Sequence, residues 1–170
     1  MSVAPITDHV LIAAKPEVIF PAFLEKHHLN RWLCNYSEMH YRARENGFFY
    51  FGWNDNYQVV GKFKAIESPR RVVITWQGGG EPVTEVEYTL ESAEGGTRVS
   101  MTHSGYGDND AQLRENHLRG WNGILNDLKA LIETGHDARF LRRPMLGVFI
   151  GALTPERKAA LGVPVEQGLV

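Results

Sequence analysis

Between residues 36 and 104 the hydropathy pattern has a period of two, and this stretch restricts the possible folds more than any other feature. Six segments of strand length follow one another, at 36–43, 47–53, 57–66, 71–76, 82–91 and 97–104. Short turns separate them, including Glu45-Asn46-Gly47 and Gly78-Gly79-Gly80. Because strands joined by short turns pair with their chain neighbours, we expect an antiparallel meander.

The alternation within these segments separates a dry face from a wet one. The residues expected to face inward in the last two segments are Val86, Tyr88, Leu90, Val99, Met101 and His103. Glu85, Glu87 and Arg98 fall on the opposite face, where we expect solvated cross-strand pairs. In the segment 47–53 we expect Phe49 and Phe51 to point inward.

Helical patterns flank the meander. A β-branched segment at 8–13 predicts a further strand, and two short helices are expected after it, at 16–24 and 26–33, with Pro21 interrupting the first. A long amphipathic helix is expected at 111–134, ended by Gly135. Its apolar stripe consists of Leu118, Trp121, Leu125, Leu128 and Ile132, widened by Ile124 and Leu131.

The dry face of a seven-stranded antiparallel sheet must be covered, and the helix at 111–134 is the only predicted element large enough to cover it. Consecutive meander strands coil strongly, so the sheet should curve around this helix. We therefore predict an α+β fold with a curved seven-stranded antiparallel sheet wrapped around a long C-terminal helix. The space between sheet and helix is then either a filled core or a pocket.

Composition excludes several classes of function. The 170 residues suit one domain, or one domain with a short appendage, and the formal charge of −2 provides no basic surface for nucleic acid. No apolar run is long enough for membrane insertion, and the first residues do not resemble a secretory signal. The single cysteine, Cys34, excludes an intramolecular disulfide, favours the cytoplasm, and is expected to be a buried filler.

Five stretches carry a resemblance to a known family. They are AAKPEVIFPAFLEKHHLNRWL, GFFYFGW, SPRRVVITWQGG, GGTRVSMTHSGYGD and GWNGILNDLKALIE, in that order along the chain. The sequence resembles the START-like helix-grip (SRPBCC) superfamily, and within it the homologues of the C-terminal domain of the heat-shock-protein-90 ATPase activator. The resemblance implies a helix-grip domain at 1–137 with an apolar cavity, and it implies a chaperone as a possible partner.

The remainder, 138–170, has a different resemblance. The sequence FLRRPMLGVFIGALTPERKAALGVPVEQGLV looks like the opening third of a PDZ domain, with a short helix at 155–161. The elements that complete a peptide groove are not found here, so peptide binding is not carried over to Met145, Leu146 and Gly147. We expect a partial PDZ-like segment that is either a truncated PDZ domain or a remnant that packs on the main domain or on a second copy, and the last arrangement would give a homodimer.

Aromatic residues make up 11% of the chain, and most of them fall on or near the expected inner surface. Aromatic rings at such positions either pack a core or line a cavity, and we favour a cavity. The candidate ligand-binding residues are Trp32, Phe49, Phe51, Trp53, Phe63, Trp76, Tyr88, Met101, His103, Tyr106, Trp121 and Leu125.

Other candidate sites are weaker. His103 is interpreted either as a hydrogen-bonding or acid/base group at the cavity mouth or as a structural histidine, and Ser104 points to the opposite face. We expect no metal ion, because His27 and His28 should not share a helix face and His40 belongs to an outward set. We expect no cofactor, since Gly78-Gly79-Gly80 precedes a strand and therefore marks a hairpin turn.

Three functions remain open. The preferred one is a binding protein with an apolar cavity for a small hydrophobic or aromatic ligand. The first alternative is a co-chaperone-like interaction module acting on a heat-shock ATPase, as the family resemblance implies. The second is an enzyme acting on an aromatic or polyketide-like substrate, which is disfavoured because no pair of titratable residues is expected to converge inside.

Overall fold

Seven strands form one antiparallel sheet in the order β1-β7-β6-β5-β4-β3-β2, in a computed structural model that describes residues 3–39, 43–141 and 154–162. The strands are β1 (Ile6–Ile12), β2 (Tyr36–Met39), β3 (Phe48–Gly52), β4 (Gln58–Glu67), β5 (Arg71–Gly78), β6 (Thr84–Ala93) and β7 (Gly96–Ser104). The predicted meander is confirmed, and β1 completes the sheet by pairing with β7. Except at the end of β2, every strand boundary lies within two residues of its predicted position.

Short helices follow β1, as expected. They are α1 (Pro16–Ile19), a 3-10 turn (Phe20–Phe23) and α2 (Lys26–Trp32). Pro21 lies in the 3-10 turn, and this confirms the predicted interruption, because proline cannot donate a hydrogen bond to the preceding turn. The C-terminal helices are α3 (Ala111–Trp121), α4 (Ile124–Thr134), α5 (Ala138–Leu141) and α6 (Pro155–Leu161).

The long C-terminal helical element over 111–134 is confirmed, and it is divided into two segments. α3 ends at Trp121, and Gly123 then adopts a φ of +82°, a left-handed conformation that glycine reaches without strain. Gly135, with a φ of +74°, ends α4 as expected. The complete domain is therefore a helix-grip fold, and the break changes which residues the first helical segment buries.

One predicted core position in this element is wrong. Leu118 is 39% exposed, whereas His117 and Trp121 are the residues that α3 buries. These two residues are four positions apart and share one helix face, and Leu118 lies beside that face. The predicted apolar stripe treats 111–134 as one continuous helix. Because the helix breaks at Gly123, positions counted back from α4 do not identify the buried face of α3. In α4, the expected Leu125, Leu128 and Leu131 are buried.

The dry faces predicted for the strands are confirmed. Phe49, Phe51, Tyr88 and Met101 are each less than 4% exposed, and they join one continuous hydrophobic cluster with Leu128 of α4. The free Cys34 is also buried, and burial raises the pKa of its thiol to about 12. The thiol therefore stays protonated, and the side chain packs as a small apolar residue. Among the described residues, no helix is both long enough and apolar enough to cross a membrane.

The segment after α4 returns to the main domain. Arg139 of α5 donates hydrogen bonds to the carbonyl oxygens of Asn30 (2.5 Å) and Cys34 (2.8 Å), at the end of α2. The helix expected at 155–161 is present as α6. Met145, Leu146 and Gly147 lie outside the described residues, as does His40, and the PDZ-like character of the tail stays a prediction.

Glycine at position 61 permits one close approach in the sheet. Gly61 of β4 pairs with Phe49 of β3, and a Cβ atom there would overlap both the Phe49 ring and the carbonyl oxygen of Thr75. The ring of Phe49 therefore lies across the bare backbone of β4. This arrangement lets the ring reach Phe51 and Phe63, with centroid distances of 4.2 Å and 5.3 Å.

We expect Gly61→Ala to reduce the free energy of unfolding by about 1–3 kcal/mol, because the methyl group displaces a core ring and meets backbone. Gly120→Ala in α3 is the matched control, since a Cβ at Gly120 meets nothing within 4 Å. That variant should be neutral or more stable by up to about 1 kcal/mol. Urea denaturation followed by circular dichroism measures both, and equal effects of the two substitutions would contradict this account.

Candidate functional site

A chain of hydrogen bonds fixes His103 between α3 and the sheet. The indole Nε1–H of Trp121 donates to His103 Nδ1 at 2.9 Å, and His103 Nε2 lies 2.7 Å from Thr84 Oγ1. An indole nitrogen can only donate, so Nδ1 accepts and Nε2 carries the imidazole proton. Thr84 accepts that proton and donates its own to the carbonyl oxygen of Trp76, at 3.0 Å.

His103 is therefore a neutral group with both nitrogens satisfied inside the protein. It has no exposed surface, and burial, followed by the nearby His117, lowers its pKa from 6.5 to about 3. A histidine in this state has no free nitrogen to offer a ligand or to exchange a proton near neutral pH. The geometry supports the structural interpretation of His103, in which it positions the Trp121 ring.

A second histidine, His117, forms the centre of a polar cluster. Its Nδ1 lies 3.0 Å from the Tyr106 hydroxyl, and its Nε2 lies 3.2 Å from both Glu81 Oε2 and the Tyr57 hydroxyl. The Tyr57 hydroxyl is 3.1 Å from Glu81 Oε2 and accepts a hydrogen bond from Trp76 Nε1 at 3.2 Å. Burial raises the pKa of Tyr57 to about 12, so its hydroxyl stays protonated and donates to the carboxylate.

Glycine in the β5–β6 turn positions the carboxylate of this cluster. The Gly78 N–H donates to Glu81 Oε2 at 3.1 Å, and a Cβ atom on Gly78 would overlap the same carboxylate. The Glu81 N–H closes the turn on the Gly78 carbonyl oxygen at 3.1 Å, and Gly80 adopts a φ of +78°. The hairpin turn predicted at Gly78-Gly79-Gly80 is confirmed, and it directs the Glu81 side chain back toward His117.

Tyr57, Trp76, Glu81 and His117 form part of the wall of a cavity of about 560 Å³. This volume is within the range of about 300–1,000 Å³ of small-molecule sites. The cavity lies at the open side of the grip, where the β3–β4 and β5–β6 connections face α3, the helix break and α5. The lining residues are Leu33, Asn35, Trp53, Asp55, Tyr57, Trp76, Glu81, Asn116, His117, Gly120, Trp121, Ile124 and Arg139.

Three of the twelve candidate ligand-binding residues line this cavity, namely Trp53, Trp76 and Trp121. Their rings are in contact, with centroid distances of 5.8 Å between Trp53 and Trp76 and 5.0 Å between Trp76 and Trp121. The other candidates are buried in the hydrophobic core or beside it and are absent from the lining of this cavity. They are Trp32, Phe49, Phe51, Phe63, Tyr88, Met101, His103, Tyr106 and Leu125.

The structure also corrects the expectation that no titratable residues converge inside. Glu81, His117 and Tyr57 meet at the cavity wall, and sequence reasoning missed all three as site residues. The spacing of four between His117 and Trp121 is a signal that could have placed His117 on the inner face of α3. Glu81 has no comparable signal, because its direction depends on the turn that precedes it.

The expectation that His27 and His28 point apart is wrong. Their ring centroids are 3.9 Å apart, and the Glu25 carboxylate lies 3.5 Å from His27 Nδ1 and 3.8 Å from His28 Nε2. In the first turn of α2 the side chains are not yet constrained by a preceding turn, so adjacent rings can lie together. The ligand atoms of these three residues lie within 4.8 Å of one another at the surface.

Comparison with known proteins agrees with this architecture. A curved antiparallel sheet gripping a C-terminal helical element, with a cavity at the open side, defines the START-like helix-grip class. The chain belongs to the family described as "Activator of Hsp90 ATPase homolog 1-like protein", whose model matches residues 13–133. A search of curated proteins gave no match.

Solved structures with the same fold come from several bacteria. The Aha1 dimer of Colwellia psychrerythraea is 25% identical with a TM-score of 0.65, over 78% of this chain and 98% of that one. CalU16 of Micromonospora echinospora is 25% identical with a TM-score of 0.61, over 77% of each chain. Protein MLL2253 of Mesorhizobium loti, 18% identical, has a TM-score of 0.68 over 76% of this chain and 97% of that one.

The low pKa of His103 predicts acid sensitivity. The unfolded chain takes up this proton near pH 6.5 and the folded chain only near pH 3, so stability is lost as the pH falls between these values. Protonation of His103 lowers the free energy of unfolding by up to about 1.4 kcal/mol for each pH unit in this range. In His103→Gln we expect lower stability at pH 7, by about 1–3 kcal/mol, and a flatter decline toward pH 4.

Denaturant unfolding at pH 7, 5.5 and 4.5 measures this effect. His9→Gln, which changes an exposed histidine, is the control and should keep the wild-type pH dependence. If His103→Gln declines as steeply as the wild type, the assignment of the buried neutral imidazole is incorrect.

Proposed function

We propose that this protein binds a small, flat aromatic molecule in the cavity lined by Trp53, Trp76 and Trp121. The observation that carries the proposal is the composition of the cavity wall, in which three indole rings adjoin the polar cluster of Glu81, His117 and Tyr57. Small-molecule sites commonly combine apolar surface with a few convergent polar groups that fix the orientation of the ligand.

The indole rings are held in place before any ligand arrives. Trp53 donates to the Leu33 carbonyl oxygen at 2.9 Å, Trp76 to the Tyr57 hydroxyl, and Trp121 to His103. With each N–H engaged by the protein, the ring surfaces that border the cavity offer apolar and π contact. A preorganised wall favours affinity, because little side-chain entropy is lost when the ligand binds.

The nine candidate residues in the core support this wall indirectly. Trp76 packs on Phe51 with a centroid distance of 6.4 Å, and Trp121 packs on Tyr88 at 6.5 Å. We propose that these residues hold the wall rather than touch the ligand. The lone buried Cys34 is consistent with a reducing compartment, and we propose a cytoplasmic location.

Nuclear magnetic resonance of the indole N–H groups tests this proposal. Addition of 2-naphthalenemethanol should shift the ¹⁵N-indole signals of Trp53, Trp76 and Trp121 and leave that of Trp32 in place. Trp32 is the internal control, because it is fully buried and its Nε1–H donates to the Ala22 carbonyl oxygen at 2.9 Å. Substitution of each tryptophan by phenylalanine assigns the signals.

A matched pair of variants gives the same test a second readout. Trp53→Ala should weaken binding about tenfold, since it removes one aromatic wall, whereas Phe48→Ala removes an exposed ring on the sheet and should leave binding unchanged. The proposal fails if none of the cavity signals shifts, or if both variants bind as the wild type does.

The family match favours a second candidate, a co-chaperone function on a heat-shock ATPase, because the family is named for an activator of Hsp90. We expect the ATPase rate of purified Hsp90 to be unchanged by an equimolar amount of this protein. A stoichiometric increase that Trp53→Ala leaves intact would establish this second function in its place. The Colwellia relative is described as a dimer, and sedimentation equilibrium tests whether this chain is one as well.

A further inference from the structure

Glu81 presents the cavity with a carboxylate oxygen that the protein leaves open. The other carboxylate oxygen, Oε2, receives the Gly78 N–H, the Tyr57 hydroxyl and the Nε2–H of His117, at 3.1 to 3.2 Å. Among the described parts of the chain, no group donates to Oε1. The side chain is 21% exposed and lines the cavity, so Oε1 is an acceptor available to a ligand.

The cluster around Glu81 directs three donors at one carboxylate oxygen. The Nε2 of His117 faces Oε2 at 3.2 Å, and its Nδ1 lies 3.0 Å from the Tyr106 hydroxyl. Among the described residues, no lysine or arginine pairs with the Glu81 carboxylate. The three donors hold the carboxylate in one orientation and leave Oε1 without a donor.

The remaining charged residues of the cavity wall reinforce this asymmetry. Arg139 is paired with both carboxylate oxygens of Asp137, at 3.0 Å and 2.9 Å, and it also donates to the backbone carbonyl oxygens of Cys34 and Asn30. Its charge is therefore already neutralised. Asp55, which also lines the cavity, accepts only the Tyr57 N–H among the described residues. The lining has an excess of negative charge.

We propose that the ligand is an organic cation, specifically an aromatic molecule carrying a protonated amine, and that the ammonium group binds Glu81 Oε1. The aromatic part then lies against the indoles of Trp53, Trp76 and Trp121. Indole faces attract cations as well as apolar rings, so both parts of the wall favour the same ligand class. The inference rests on the proposed function and specifies the ligand that it takes.

Three probes with the same naphthalene body separate charge from shape: 2-naphthylmethylamine, which is cationic, 2-naphthalenemethanol, which is neutral, and 2-naphthoate, which is anionic. Isothermal titration calorimetry should give a Kd for the amine about tenfold lower than that of the alcohol, with the naphthoate weakest. The indole signals of the cavity tryptophans should shift with the amine, and the Trp32 signal should not.

The variant Glu81→Gln should bring the affinity for the amine to that of the alcohol. Its affinity for the alcohol should stay near the wild-type value, which shows that the cavity is still folded. Glu85→Gln is the matched control, because it removes the same charge from the outer face of β6, where Glu85 pairs with Lys64. This control should keep the full preference for the amine.

Each result discriminates between the two proposals. Equal binding of amine and alcohol by the wild type overturns the cation assignment and leaves aromatic binding intact. A preference for the amine that survives Glu81→Gln also overturns it, because another group then provides the recognition. Failure of all three probes to bind overturns the proposed function itself.

Discussion

The hydrogen bonds that run from Trp121 through His103 and Thr84 to the Trp76 carbonyl oxygen join α3 to the sheet, and the arrangement of the cavity depends on them. α3 buries only His117 and Trp121, so it brings little apolar surface to the interface. The position of α3 is therefore fixed by these hydrogen bonds, which are directional and lie in a buried environment. The same bonds hold Trp121 and Trp76 in contact and thereby define part of the cavity wall.

Most of the candidate aromatic residues lie in the hydrophobic core. On β3 and β4, the Phe49 ring stacks on Phe51 and meets Phe63 edge-on, and it occupies the space left by Gly61. These rings belong to the hydrophobic cluster that joins the sheet to Leu128 of α4. The cavity lies at the side where the helical element breaks at Gly123 and the β3–β4 and β5–β6 connections face α3.

Family membership establishes the architecture, and the side chains at the open side of the grip are particular to this chain. Relatives at 18–25% identity share the helix-grip fold over most of their length. A fold of this kind hosts many functions, because the residues at its open side can change while the core is retained. In this chain those residues include three tryptophans and the Glu81 carboxylate, which is held by Gly78, Tyr57 and His117.

The sequence by itself determined the sheet, its antiparallel order, its inward residues and the helical element that covers it, because hydropathy periodicity reports directly on local geometry. It also placed Trp53, Trp76 and Trp121 among the candidates. Tertiary structure alone decided which aromatic residues fill the core, that His117 and not Leu118 faces inward, and that Glu81 joins His117. These outcomes depend on a helix break and a glycine turn, which change side-chain direction without altering the periodic pattern on either side.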